Sequence, residues 1–200
     1  MTRATVAGAD TVIGGAVVHA LRARGVEIVQ TPAAPVDVAV YASVDDDALA
    51  VQALRDTDEV TWRRRCEEPI RAFVEWLQRV HPLVGPTQGV VVLVAPTASQ
   101  EGAAGLVPYT TAVEAQRLLA KSAARQWAVD GITVLVVAPR LDAVAPDVGA
   151  ADALRTDPVL EANARDADAV AHVVALLADP AARPMTGGTI AVDGGALMAP

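Results

Sequence analysis

The sequence predicts an α/β domain, a mainly parallel sheet of about six strands with helices on both faces, and three observations carry that prediction. Apolar runs of strand length alternate with stretches of helical periodicity along the whole chain, the pattern that parallel strands with crossover connections require. Hydrophobic residues make up 52% of the 200 positions but aromatics only 3%, so the core is built from Ala, Val, Leu and Ile, as in buried sheets covered by helices. The third observation is Gly89–Ala95, a continuous apolar run rich in valine that reads as a central strand.

The remaining elements follow in order. Ala4–Ala7 is a short strand ending in Gly8, and apolar residues at Ile13, Val17, Ala20 and Leu21 mark a helix that Gly25 stops. Val26–Val29 reads as a second strand. The tract Thr31–Pro35 is not helical, because two prolines bracket it and restrict the residues before them; Val36–Ala42 is then a third strand. Asp45–Leu54 and Glu59–Val80 read as helices separated by a polar turn, with Phe73, Leu77 and Val80 on one stripe of the second. After a loop over residues 81–88 and the Gly89–Ala95 strand, a long helix ends near Asp130 and Gly131, and Ile132–Ala138 is a strand. Asp142–Asp157 is irregular with one short helix, Ala167–Leu177 is helical, Gly187-Gly188 turns the chain, and Thr189–Val192 closes the sheet.

Charge and composition exclude several functions. A net charge of -8 and a scarcity of aromatics oppose binding to nucleic acid, which needs basic groups on phosphates and stacking platforms for bases. No apolar run is long enough to span a bilayer. The N-terminus enters a strand at once, which leaves no place for a signal peptide, so a cytoplasmic location is expected. The single cysteine, Cys66, is read as an apolar filler on a helix. No metal site is expected: the three histidines are scattered, and Asp45-Asp46-Asp47 reads as a solvated helix start. Arg63-Arg64-Arg65 reads as a source of surface or subunit ion pairs.

Two stretches add a resemblance. Ala128–Pro139, with Gly131-Ile132 leading into a strand and an Ala-Pro turn, and Met185–Gly195, with Thr186-Gly187-Gly188 and Val192-Asp193-Gly194-Gly195, are similar to the later part of the short-chain dehydrogenase/reductase family. Arg165–Ala171 resembles that family's last helix start. Ala7–Gly14 falls where the family has TGxxxGIG, and Trp62 where a tryptophan often opens its fourth main helix. The resemblance implies a single Rossmann-like, doubly wound domain over 1–200, shorter than its relatives because a third strand and its two flanking helices are deleted near 30–36. Such a short link, at about 3.3–3.6 Å per extended residue, only just reaches a neighbouring strand, so either a taut crossover or a displaced second strand is expected.

The same resemblance assigns the chemistry. In the dinucleotide fingerprint the first glycine makes the turn, the second admits the pyrophosphate and the third allows helix packing. Gly8 and Gly14 hold the outer places, with Ile13 beside them as a vestigial cofactor contact, but Val12 occupies the middle one. Gln30-Thr31-Pro32 lacks the charged residue that reads the ribose, and Tyr41–Val44 replaces the family's cofactor-lining loop. Of the catalytic Asn, Ser, Tyr and Lys, only Tyr109 remains, as a vestigial candidate; Pro69, Pro96 and Val113 stand at the other three positions, and Lys121 is too far along the helix to substitute. An isolated tyrosine has a pKa of about 10, and no neighbouring cation is evident to lower it.

The expectation is therefore a non-catalytic family member acting as a structural or regulatory subunit. Its partner would be a homologous subunit, met through helices 59–80 and 109–130 and the C-terminal strand. The apolar stripe Ala112, Ala115, Leu118, Leu119, Ala123 and Trp127, with Phe73, Trp76 and Leu77 as matching bulk, is the surface offered. No cofactor is expected. The alternatives are an NAD(P)-dependent oxidoreductase with a rearranged site, non-redox proton transfer by Tyr109, and a small-molecule sensor.

Overall fold

The computed structural model describes residues 1–31, 33–149, 157–160 and 166–198. Six strands, β1 (Arg3–Ala7), β2 (Glu27–Ile28), β3 (Val38–Tyr41), β4 (Val90–Val94), β5 (Thr133–Pro139) and β6 (Thr189–Val192), form one sheet in the order β2-β1-β3-β4-β5-β6. Every pairing is parallel. Alternate residues of the central strands feed two cores. Val38, Val40, Val92 and Val137 face α1 (Val12–Ala23) and the later helix Ala167–Leu177. Ala39, Val91, Leu93 and Val136 face the helices Glu68–Val84 and Val107–Trp127. Helices thus cover both faces, and the apolar continuity of these strands has its cause in that double burial.

The short link between β2 and β3 is a crossover, with β2 kept beside β1. Val29 N–H donates to the carbonyl of Ala4 on one flank of β1, and Asp37 N–H donates to that of Arg3 on the other. The link is tied down at its end. Arg3 donates through its backbone N–H to the Asp37 carboxylate (2.7 Å) and through Nη1 to Pro35 O (2.9 Å), and the fully buried Val36 donates to Leu83 O. Pro32 lies outside the described residues.

Between β3 and β4 the chain departs from expectation. Asp45–Leu54 is not an α-helix but two 3₁₀ turns, Asp46–Leu49 and Leu54–Asp56, because Asp45 spends its carboxylate capping Asp47 N–H within the same turn. The long helix begins as α2 (Glu59–Trp62), passes through one π turn over Arg63–Glu67, and continues as α3 (Glu68–Val84), four residues beyond the predicted Val80. Pro69 explains the π turn: it has no N–H to give to the preceding turn, and Glu68 N–H instead reaches back to Arg63 O. Arg64 and Arg65 both bind Asp47 (2.7 and 3.2 Å), which absorbs the basic run and one member of the acidic run. Cys66 is buried on this segment, and burial pushes its thiol pKa up.

The rest follows α4 (Ala98–Glu101), α5 (Val107–Trp127), α6 (Leu141–Val144), α7 (Pro146–Gly149) and α8 (Ala167–Leu177). Gly131, at φ 73°, ends the turn after α5, and Asp166 caps α8 through Asp168 N–H. The expected irregular stretch to Asp157 and the helix approach from Arg165 lie partly outside the described residues. No helix among the described residues is long and apolar enough to cross a membrane.

Candidate functional site

Pro69 on α3, Pro96 after β4, and Tyr109 and Val113 on α5 all line one cavity of about 270 Å³ above the C-terminal ends of β3 and β4. Those are the four positions at which the resemblance places Asn, Ser, Tyr and Lys. The chemistry at those positions has changed. Two prolines and a valine offer neither a proton nor a positive charge.

Tyr109 is 6% exposed and has no hydrogen-bond partner among the described residues, and burial pushes its hydroxyl well above the ordinary 10. No cation offsets that effect: Val113 fills the place of the lysine, Lys121 is exposed on the far part of the helix, and Arg64, which lines the same cavity, is paired with Asp47. The hydroxyl is therefore protonated at any physiological pH and is a weak proton donor. Gln116 is another polar group that α5 turns inward; its Nε2 donates to Pro69 O at 3.1 Å.

One turn on, Arg117 is a residue that sequence reasoning missed. Only 2% exposed, it donates through Nη2 to Ala95 O (3.0 Å) and Pro96 O (3.2 Å) and through Nε to Glu114 (2.8 Å). Ser99 donates to the same Glu114 carboxylate at 2.7 Å. Burial alone would raise the Glu114 pKa, but the bonds from Ser99 and Arg117 outweigh it and hold the carboxyl below its usual range. Arg117 thereby fixes the loop that carries Pro96, and Ser99 is committed to that cluster and does not line the cavity. The spacing of Glu114 and Arg117, three apart on a helix, was the available signal.

The glycine loop is closely packed. Gly8 has φ 79°, and a Cβ on it would lie 2.6 Å from Ala42 O; a Cβ on Gly14 would lie 1.8 Å from Gly8 O. The Thr11 hydroxyl donates to Gly8 O (2.8 Å) and accepts from Gly14 N–H (3.0 Å), which caps α1 from within. Ile13 is fully buried in the core, so its side chain is a packing residue and not a contact for a ligand. Val12 is 58% exposed on a cleft of about 520 Å³ that Asp10, Asp46 and Asp147 also line. Three carboxylates thus stand beside the helix N-terminus, where the fingerprint would seat a pyrophosphate.

At the end of β5, Arg140 takes the place after Pro139 and forms a buried ion pair with Asp142, Nη2 to Oδ2 at 2.9 Å and Nε to Oδ1 at 3.0 Å. Asp193 is buried as well, and accepts from Gly195 and Leu197 N–H groups to fold the closing Val-Asp-Gly-Gly turn. No group of histidine, cysteine and acidic side chains among the described residues is arranged to hold a metal ion.

Comparison with known proteins gives the class. A family model described as enoyl-(acyl carrier protein) reductase matches residues 35–196, most of the chain. The chain belongs to the short-chain dehydrogenase/reductase family. The structure of TT0495 protein from Thermus thermophilus aligns with a TM-score of 0.76 at 21% identity over 98% of each chain. A short-chain dehydrogenase/reductase family oxidoreductase from Burkholderia thailandensis aligns with the same score at 22% identity, over 98% of this chain and 92% of that one. Identities this low carry the fold alone. No curated protein sequence matches.

Proposed function

We propose that this chain is a non-catalytic member of its family, a structural or regulatory subunit that pairs with an active NAD(P)-dependent relative. The observation that carries the reading is the cavity that gathers all four catalytic positions and presents Pro69, Pro96, Tyr109 and Val113. Val12 and the carboxylates of Asp10, Asp46 and Asp147 fit a dinucleotide poorly, because a β-branched side chain and negative charge meet the pyrophosphate. No cofactor is assigned on this reading.

Two free surfaces support assembly. Leu118, 65% exposed on α5, sits among Lys121, Ser122 and Arg125 at a shallow groove beside Thr186 and Gly187. Among the described residues β6 ends the sheet, paired only with β5. The surface is narrower than the sequence suggested: Ala112 and Ala123 face inward, and Phe73, Trp76 and Leu77 pack inside, where Phe73 and Trp76 surround Tyr41 at ring distances of 4.9 and 5.1 Å. The outward face of α3 is polar instead, with Arg71, Glu75 and Gln78 exposed. Size-exclusion chromatography with light scattering, after co-expression with a reductase of the same family encoded nearby, is the test. A stoichiometric hetero-oligomer is expected, and a stable monomer that captures no partner contradicts the proposal.

A second reading, a small-molecule sensor, draws on the same 270 Å³ cavity, where Tyr109 brings an unpartnered hydroxyl to a lining that also holds Ser43, Arg64, Glu68 and Gln116. An oxidoreductase using NAD(P) through a rearranged site is the third. Turnover of a carbonyl substrate with any nicotinamide nucleotide would select it.

A further inference from the structure

On the α3 side of the sheet a groove of about 440 Å³ lies between the crossover, β1 and α3. We propose that this groove is a binding site for a small organic carboxylate with an apolar body. It is separate from the catalytic-position cavity and does not depend on the subunit reading.

The lining is rich in donors. Thr5 and Trp76 are each 6% exposed, and neither the Thr5 hydroxyl nor the Trp76 indole N–H has a hydrogen-bond partner among the described residues. Both residues are buried but neither donor atom is shut off from solvent, so each is free to meet an acceptor placed in the groove. Arg79 is exposed at the groove and makes no ion pair with a described carboxylate, although the chain carries a net charge of -8 and supplies acidic residues in excess. Gln30 and Thr31 contribute an amide and a further hydroxyl from the crossover, and no Asp or Glu lines the groove. The acidic cleft beside Val12 is the opposite case.

One guanidinium, two unpartnered neutral donors and apolar surface from Leu83 define the ligand class. A carboxylate matches a guanidinium through paired, charge-assisted bonds, and its second oxygen accepts from a neutral donor. A phosphate would carry more charge than one arginine balances and would leave the apolar wall uncovered. The volume is that of ordinary small-molecule sites.

Calorimetric titration of the whole chain with hexanoate and with benzoate tests the assignment, with hexanol, benzyl alcohol and inorganic phosphate as comparison ligands. Both carboxylates are expected to bind, and the alcohols and phosphate to bind at least about tenfold more weakly. Arg79→Gln should weaken carboxylate binding by about tenfold or more, and Leu83→Trp should abolish it by filling the groove. Arg71→Gln, exposed on the same helix but outside the groove, should leave it unchanged. Circular dichroism melts establish that each variant is folded, and Arg79→Gln at an exposed position serves if the bulky variant does not fold. Absence of binding by wild type at concentrations to about 20 mM, equal binding of the alcohols, or wild-type affinity in Arg79→Gln overturns the proposal.

Discussion

Tyr109 has kept its place while losing the surroundings that would make it an acid. Its hydroxyl is buried, its pKa is raised by that burial, and Val113 stands where a lysine would lower it. Tyr109→Phe should therefore leave folding and assembly unchanged and leave the biological role intact, as read by complementation of a deletion strain. Val113→Lys alone should produce no dehydrogenase activity in a nicotinamide absorbance assay, because Pro69, Pro96 and Val12 remain. Gly14→Ala acts on stability instead: a Cβ 1.8 Å from Gly8 O forces the loop and α1 apart, and a loss of about 1–3 kcal/mol is expected in urea unfolding. Val113 was legible in the sequence because residue counting back from Gly131-Ile132 runs along a helix without gaps, and Pro69 because Trp62 gives a second starting point. Arg117 was not legible in the same way. A charged residue on a helix is by default solvated, and only the fold shows that β4 delivers two carbonyls to it.

At the level of elements, α8 and β6 fall on the predicted residues, since an aspartate cap starts one and a glycine turn at φ 79° precedes the other. The stretch after β3 was misread because apolar spacing in Asp45–Leu54 looks helical, whereas local side-chain capping closes it into 3₁₀ turns. The π turn before Pro69 is likewise a backbone response that composition does not display. The α5 cluster makes a pH prediction. Glu114 has a folded pKa below its ordinary 4.5, so its contribution to stability is complete above that value and is lost as the pH falls through the lower, folded one. Asp47, held low by its bond to Arg65, acts in the same direction. Thermal melts should show a midpoint that is steady above about pH 5 and declines below about pH 4, and Glu114→Gln should flatten part of that decline. A decline unchanged by Glu114→Gln would place the acid sensitivity elsewhere.

For the whole molecule, the short link between β2 and β3 still gives an open six-stranded parallel sheet with both faces covered, because the crossover ties itself to β1 and to the end of α3. The sequence carried the strand count and the alternatives for the link, but which alternative holds depends on bonds to Arg3 and Leu83 that lie far away in the chain. What changes globally is electrostatic. A family fold that normally receives a pyrophosphate here lines the corresponding cleft with three carboxylates, in a chain of net charge -8. Calorimetric titration with NAD, NADH, NADP and NADPH therefore addresses the central claim most directly. Dissociation constants in the millimolar range or weaker, with no turnover of carbonyl substrates, are the predicted result, and tight binding of any one nucleotide at about micromolar concentration, with turnover, would contradict it.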